Sequence, residues 1–226
     1  MFKVKITPKF MSVFIAAVLF FHFAPVTTWA ATLKTEAGTE KFENVTLLKS
    51  TTLDQNEKDK SVMTLVSHGM RKKAVFGLVP VRVYVLQFLA AHPEKLVKTE
   101  SGVLASLKAA GPIQLRLTFT RDLPGSKIAD AFKDGLEANK VNVKKLSLEL
   151  EQVLREIQTM EEFKKGESFS VTASWKDSQA TIYLEDPKGT LKSITGPQEF
   201  AEQFLSIWFG HPSDNLLGTL KKELVK

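Results

Sequence analysis

The chain has 226 residues, 43% of them hydrophobic and 25% charged, with a formal net charge of +6. That composition excludes a disordered, collagen-like or polytopic membrane protein, and a chain of this size buries on the order of 70% of its unfolded surface without a covalent or metal staple. It contains no cysteine, which excludes a disulfide framework, a thiol nucleophile, thiolate-bound zinc and an iron–sulfur cluster.

The first thirty residues read as a leader rather than as fold. Lys3, Lys5 and Lys9 form a basic start, Phe10 to Ala24 is an apolar run broken only by Ser12 and His22, and Pro25 ends it. Thr28-Trp29-Ala30 matches a small-x-Ala cleavage site, so a secretory signal peptide cleaved after Ala30 is expected. The apolar run is short beside the span of about 20 residues that crosses a bilayer. Membrane contact is therefore expected only through the leader before cleavage. The leader's three charges are all lysines, leaving residues 31–226 with 28 basic and 25 acidic side chains, a net of +3. The lysines stand singly or in pairs beside Glu and Asp, with no basic run interleaved with aromatics, so nucleic-acid binding is not expected. A soluble periplasmic or secreted protein of bacterial type is the expectation.

From Ala31 to Lys226 no repeat, low-complexity tract or linker intervenes, and the reading is one domain with a loose N-terminal lead-in. Ser61–Ser67 alternates Val62, Thr64 and Val66 against Met63 and Leu65, which predicts a strand. Lys72–Gln87 is rich in Val and aromatics but contains Gly77 and Pro80, which predicts a hairpin rather than one long strand. Ile113, Leu115, Leu117 and Phe119 alternate strictly with Gln114, Arg116, Thr118 and Thr120, the pattern of a half-buried strand. Ser126 is the expected cap of a helix with Ile128, Ala131, Phe132 and Leu136 on one face. A second helix is expected over Lys144–Phe163, with Leu146, Leu150, Val153, Leu154 and Ile157 along its stripe. Glu167–Lys176 and Gln179–Glu185 predict a hairpin over Asp177-Ser178, and Thr190–Ile194 a short edge strand. Gly196-Pro197 opens a helix that buries Phe200, Phe204, Ile207 and Trp208 and stops at Gly210. A last helix runs from Asp214 to Val225. Segregated strands and helices of this kind predict an α+β fold, a largely antiparallel sheet with helices on one face.

Motifs for common chemistries are missing: the sequence has no phosphate-binding loop, no His-Glu-x-x-His and no nucleophile elbow. His68, His92 and His211 lack ligand spacing, so neither a metal nor a cofactor is expected.

Two short motifs carry more. Leu65-Val-Ser-His-Gly69-Met-Arg71-Lys-Lys leads into Val81-Arg-Val83-Tyr84-Val85, and Phe204-Leu-Ser-Ile-Trp208-Phe-Gly210-His-Pro212 leads into Leu220-Lys-Lys222. Both resemble the signatures of the chalcone isomerase-like family, over about Val62 to Val225. The family's Gly-x-Gly ahead of the arginine is Ser67-His68-Gly69 here, and Phe88 stands where a further tyrosine is expected. The Tyr- and Asn-bearing active-site helices of plant chalcone isomerases have no counterpart, which argues against flavonoid cyclisation. What the resemblance implies is a curved, open-faced α+β sandwich. It further implies a non-catalytic fatty-acid site in which Arg71 and Tyr84 meet the ligand carboxylate.

Geometry gives that pair an independent test. Arg71 and Tyr84 are 13 residues apart, roughly 40 Å along one strand and on opposite faces. A hairpin centred between Gly77 and Leu78 instead sets them opposite each other on one face. Arg71 then offers a planar fork for a carboxylate and Tyr84 a third donor, with Val83, Val85, Leu117 and Phe119 as candidate walls for an acyl chain. A salt bridge for Arg71 and a core role for Tyr84 are the plainer readings. Three functions follow: binding of a fatty acid or similar amphipathic carboxylate without chemistry; an isomerase or intramolecular lyase with Arg71 and Tyr84 in the catalytic roles; or a structural, partner-binding envelope protein.

Overall fold

A computed structural model of the chain describes residues 30–56, 59–75 and 79–226. The leader up to Trp29 and the turn expected at Gly77-Leu78 lie outside the described residues. What the sequence marked as a loose lead-in is two strands, β1 (Thr32–Phe42) and β2 (Val45–Asn56), joined by Glu43 and Asn44, both in the left-handed region. β1 escaped notice because it is an edge strand with mostly exposed, largely polar side chains, so no apolar alternation is imposed on it. The Ser61–Ser67 strand and the first arm of the predicted hairpin are one long strand, β3 (Asp59–Val75), which pairs with β4 (Val79–Ala90).

A single 3-10 turn, Pro93–Lys95, and a helix that the sequence did not announce, α1 (Val103–Ala110), lead into β5 (Ile113–Phe119). There follow β6 (Leu123–Pro124), α2 (Gly125–Ala138), α3 (Leu148–Gln158) and β7 (Glu162–Phe163). The chain ends with β8 (Ser168–Lys176), β9 (Gln179–Glu185), β10 (Leu191–Pro197), α4 (Gln198–Phe209) and α5 (Asn215–Leu224). Three boundaries differ from the sequence reading, the first being β10, which runs on to Pro197 where the edge strand was expected to stop at Ile194. Pro124, not Ser126, occupies the cap position of α2, and no side chain caps it. The second helix is shorter than Lys144–Phe163: the Ser147 hydroxyl caps it by accepting from the Leu150 amide, and Phe163 pairs with Leu123 in a two-stranded ribbon.

Eight strands form one antiparallel sheet in the order β1-β2-β3-β4-β5-β8-β9-β10. The sheet curls into a half-barrel with the helices against one face, so the α+β reading holds. Leu86, Phe88, Leu115, Leu117, Phe169 and Val171 from the strands meet Phe132, Leu136, Leu154, Phe204 and Trp208 from the helices in the main core. Each such side chain, fully buried, contributes about 1.5–3 kcal/mol. β5 is buried on both faces, not half-buried. The reason is the curl. At its end β2 reaches β8 and β9, where Gln55 Nε2 donates to Ser174 Oγ at 3.0 Å and Tyr183 Oη at 2.6 Å. A second cluster of Leu48, Leu53, Met63, Leu89 and Tyr183 fills part of the face away from the helices. Gln114 is thereby sealed in, with its Nε2 donating to Thr172 Oγ1 at 3.2 Å.

Candidate functional site

β3 and β4 set the two marked residues face to face: Arg71 is the cross-strand partner of Tyr84. The register is subtler than a plain hairpin. Near the turn Val75 pairs with Val79 and Lys72 with Arg82, which by itself would put Arg71 opposite Val83. A bulge restores the Arg71–Tyr84 pairing by leaving Val83 as an extra residue in β4. Both residues are buried, at 7% and 6% exposure, and both turn toward the helices.

The final helix covers them. Gly69, two residues before Arg71, has no room for a side chain: a Cβ there would sit 2.3 Å from Glu223 Oε2 and 2.7 Å from Leu220 Cδ1. That absence lets α5 lie directly on β3, with the Glu223 carboxylate accepting from the Met70 amide at 3.2 Å and Ser67 Oγ donating to Leu224 O at 2.8 Å. The N-terminus of α5 then falls at Arg71. Asp214 is its cap, accepting from the Leu217 amide at 2.8 Å. The same carboxylate fills the arginine fork, taking bonds from Nη1 at 2.8 Å and Nη2 at 2.5 Å. Nη1 also donates to the carbonyl of Lys72.

Charge follows geometry. Burial alone raises the Asp214 pKa, but the bonds from Arg71 and the Leu217 amide, with the charges of Arg71 and Lys73, outweigh it and hold the carboxyl below its ordinary value. The Tyr84 phenol is pushed up, chiefly by burial; Arg71 and the Trp208 bond oppose this and Asp214 adds to it. Tyr84 stays protonated, as a donor and not a base. Its oxygen accepts from Trp208 Nε1 at 3.1 Å. No acceptor for its own proton is found among the described residues.

Arg71 and Tyr84 line a small cavity of about 50 Å³ with Val83, Ile128, Phe132, Ile207 and Leu217. Of the walls expected from sequence, Val83 is there. Phe119 packs edge-on against Tyr84 with ring centroids 6.0 Å apart, and Leu117 lies in the same core. Val85 does not belong: the neighbour of Tyr84 on its strand, it points to the other face of the sheet. Phe88, at the position of the missing tyrosine, is wholly buried against Phe209. A wider groove of about 520 Å³ lies elsewhere, at the end of α3, rimmed by Glu156, Glu161, Glu162, Lys164 and Lys188. Its charged, open rim makes it a poor acyl site.

Sequence reasoning missed two members of the site. Asp214 was visible only as the start of a helix, and nothing in its spacing ties it to Arg71. Trp208 was read as core, which it is, stacked edge-on with Phe132 and Phe204; its indole N–H is the polar part that helical periodicity does not reveal. The second motif has a similar structural basis. Buried Lys221 donates to Gly210 O, tying α5 to the end of α4. Among the described residues no group of His, Asp or Glu is placed to hold a metal, and no helix is long and apolar enough to cross a membrane.

A family model described as chalcone isomerase-like matches residues 39–225. Among solved structures, the crystal structure of a fatty-acid binding protein of Arabidopsis thaliana matches with a TM-score of 0.55 and 14% identity, over 72% of this chain and 86% of that one. At that identity the likeness shows the fold. A comparison with curated proteins finds no match.

Proposed function

Because the chain belongs to the chalcone isomerase-like family, we propose that it binds a small amphipathic carboxylate, a fatty acid first among candidates, without chemistry. In this reading the ligand carboxylate exchanges with Asp214 in the Arg71 fork, and its tail enters between β4 and α2. The observation that carries it is the Tyr84 hydroxyl: a buried donor, beside a buried arginine and an apolar cavity, whose proton has no acceptor among the described residues. Buried donors rarely go unpaired, because each costs about 1–3 kcal/mol when unsatisfied. A bound carboxylate supplies the acceptor. Asp214 marks the place: a carboxylate already sits in the fork.

In this reading the cavity of about 50 Å³ corresponds to a closed form. Sites that enclose a drug-sized ligand hold on the order of 300–1,000 Å³, so an acyl tail requires α5 to shift on β3. The polar links between α5 and β3 that oppose this are those of Asp214, Glu223 and Ser67, and the Lys221 bond to Gly210 O and the burial of Leu217, Leu220 and Leu224 add to them. We place the protein in the periplasm or outside the cell, as one domain following a leader cleaved after Ala30. The signal-like first thirty residues support that placement.

A second reading rests on the same fork. If the Arg71–Asp214 pair never opens, the cavity is packing space and the protein serves a structural or partner-binding role. Lipids extracted from protein purified from its own host separate the two. Mass spectrometry that recovers a stoichiometric fatty acid from the wild type, and none from Arg71→Ala, supports binding. Lipid-free wild type that takes up no added fatty acid supports the structural role.

A further inference from the structure

The end of the β3–β4 hairpin has a character that the Arg71 site draws on only through the charge of Lys73. Lys72, Lys73 and Ala74 are all exposed, and so are Val79 and Pro80 across from them. Successive strand residues point to opposite faces. Exposure of neighbours on both arms therefore means that, among the described residues, nothing covers either face of these two arms. Val79, at 61%, is one of the large apolar side chains exposed among the described residues.

Charge is arranged around this end. In the sequence, Ala74 to Val81 carries no charged residue, while Lys72 and Lys73 precede the run and Arg82 follows it. Lys72 and Arg82 are cross-strand partners at its root. Exposed Arg121 follows Thr120, whose amide donates to Val83 O at 3.0 Å, so a cation from a third segment joins them. Arg82 meets Glu43 at 2.7 Å and Lys73 lies 3.8 Å from Asp134. Both arginine and lysine are more than half exposed in those pairs. Such surface pairs are weak and screened by salt, so the cations remain available to a stronger anion.

We infer that this end docks the protein on an anionic lipid surface. Ala74, Val79 and Pro80 enter the interface, and Lys72, Lys73, Arg82 and Arg121 sit at the level of the headgroups. The exposed apolar side chains of Ala74, Val79 and Pro80, with cations behind them on both arms, match the two layers of such a surface, acyl boundary below and anionic headgroups above. This extends membrane contact beyond the leader, and it stands or falls separately from fatty-acid binding.

Co-sedimentation of the purified protein with lipid vesicles tests it. Vesicles of phosphatidylcholine with about one third phosphatidylglycerol should retain the protein in a salt-sensitive manner, and pure phosphatidylcholine should not. Each cation near such a surface contributes a factor of about five in affinity, so Lys72→Glu with Arg82→Glu should weaken retention at least about 25-fold. Val79→Asp should weaken it several-fold without changing those cations. Lys95→Glu with Lys176→Glu makes the same change in net charge at the far end of the sheet and should leave retention intact. Equal retention on neutral and anionic vesicles would overturn the inference, as would an equal loss in the far-end pair.

Discussion

Asp214→Asn is the most informative single change, because it moves stability and affinity in opposite directions. Asparagine caps a helix about as well as aspartate, so the Leu217 bond is kept and the effect falls on Arg71. Breaking a fully buried ion pair at one partner costs about 3–5 kcal/mol. The Asp214 side chain is 35% exposed, and solvent screening brings the expected loss to about 1–3 kcal/mol. Urea unfolding at neutral pH reads it. The loss should depend on pH with a definite sign. The Asp214 pKa is lowered on folding from an ordinary value of 3.8, so the pair's contribution is fully present above that value. It fades as pH falls through the lower folded value, and the gap between wild type and variant should close there. Affinity runs the other way. A charge-assisted bond is worth about 1.5–3 kcal/mol, and a ligand no longer has to displace Asp214. Calorimetric titration with a long-chain fatty acid should show binding tightened about tenfold. Unchanged or weaker binding in a folded Asp214→Asn protein would refute the idea that Asp214 stands in the ligand's place.

Tyr84→Phe should lower stability by about 1–3 kcal/mol in urea unfolding, because it strands the buried Trp208 N–H. The same change should weaken fatty-acid binding by about 0.5–1.5 kcal/mol, one hydrogen bond, as read by titration. Gly69→Ala drives a methyl into Leu220 and Glu223 and should cost about 1–3 kcal/mol. Hydrogen exchange should show the loosening most strongly in α5, beyond the acceleration that lower global stability gives the core amides of β8 and β9. N-terminal sequencing of exported protein should begin at Ala31; a start at Met1 would indicate that the leader is kept.

The fold was legible wherever burial imposes a period on the chain. β5, the β8–β9 hairpin, α4 and α5 all bury a continuous apolar face, and their positions could be read from alternation or helical spacing. β1 could not, because an exposed edge strand leaves no apolar signature. α1, only eight residues long and rich in alanine, offers too short a pattern to stand out. Burial of both faces of β5 was hidden too: Gln114 and Thr118 look like solvent-facing residues, and only the curl of the sheet shows what covers them. At the site, the Arg71–Tyr84 pairing was legible from a turn-centred hairpin, though a bulge at Val83 was needed to produce it. Asp214 was not, since an ion pair across 143 residues leaves no trace in local spacing. The Gly69 and Lys221 positions in the two family motifs become intelligible only once α5 is seen lying on β3.

The central claim is that a ligand carboxylate enters the Arg71 fork. Titrating wild type and Arg71→Ala with a fatty acid and with the alcohol of the same chain length tests it most directly. The wild type should prefer the acid by about two- to tenfold, the worth of the Tyr84 bond, since in the fork the ligand carboxylate only replaces Asp214, and Arg71→Ala should lose that preference while still binding the alcohol. Equal affinity of the wild type for acid and alcohol, or an unchanged preference in Arg71→Ala, would contradict the account.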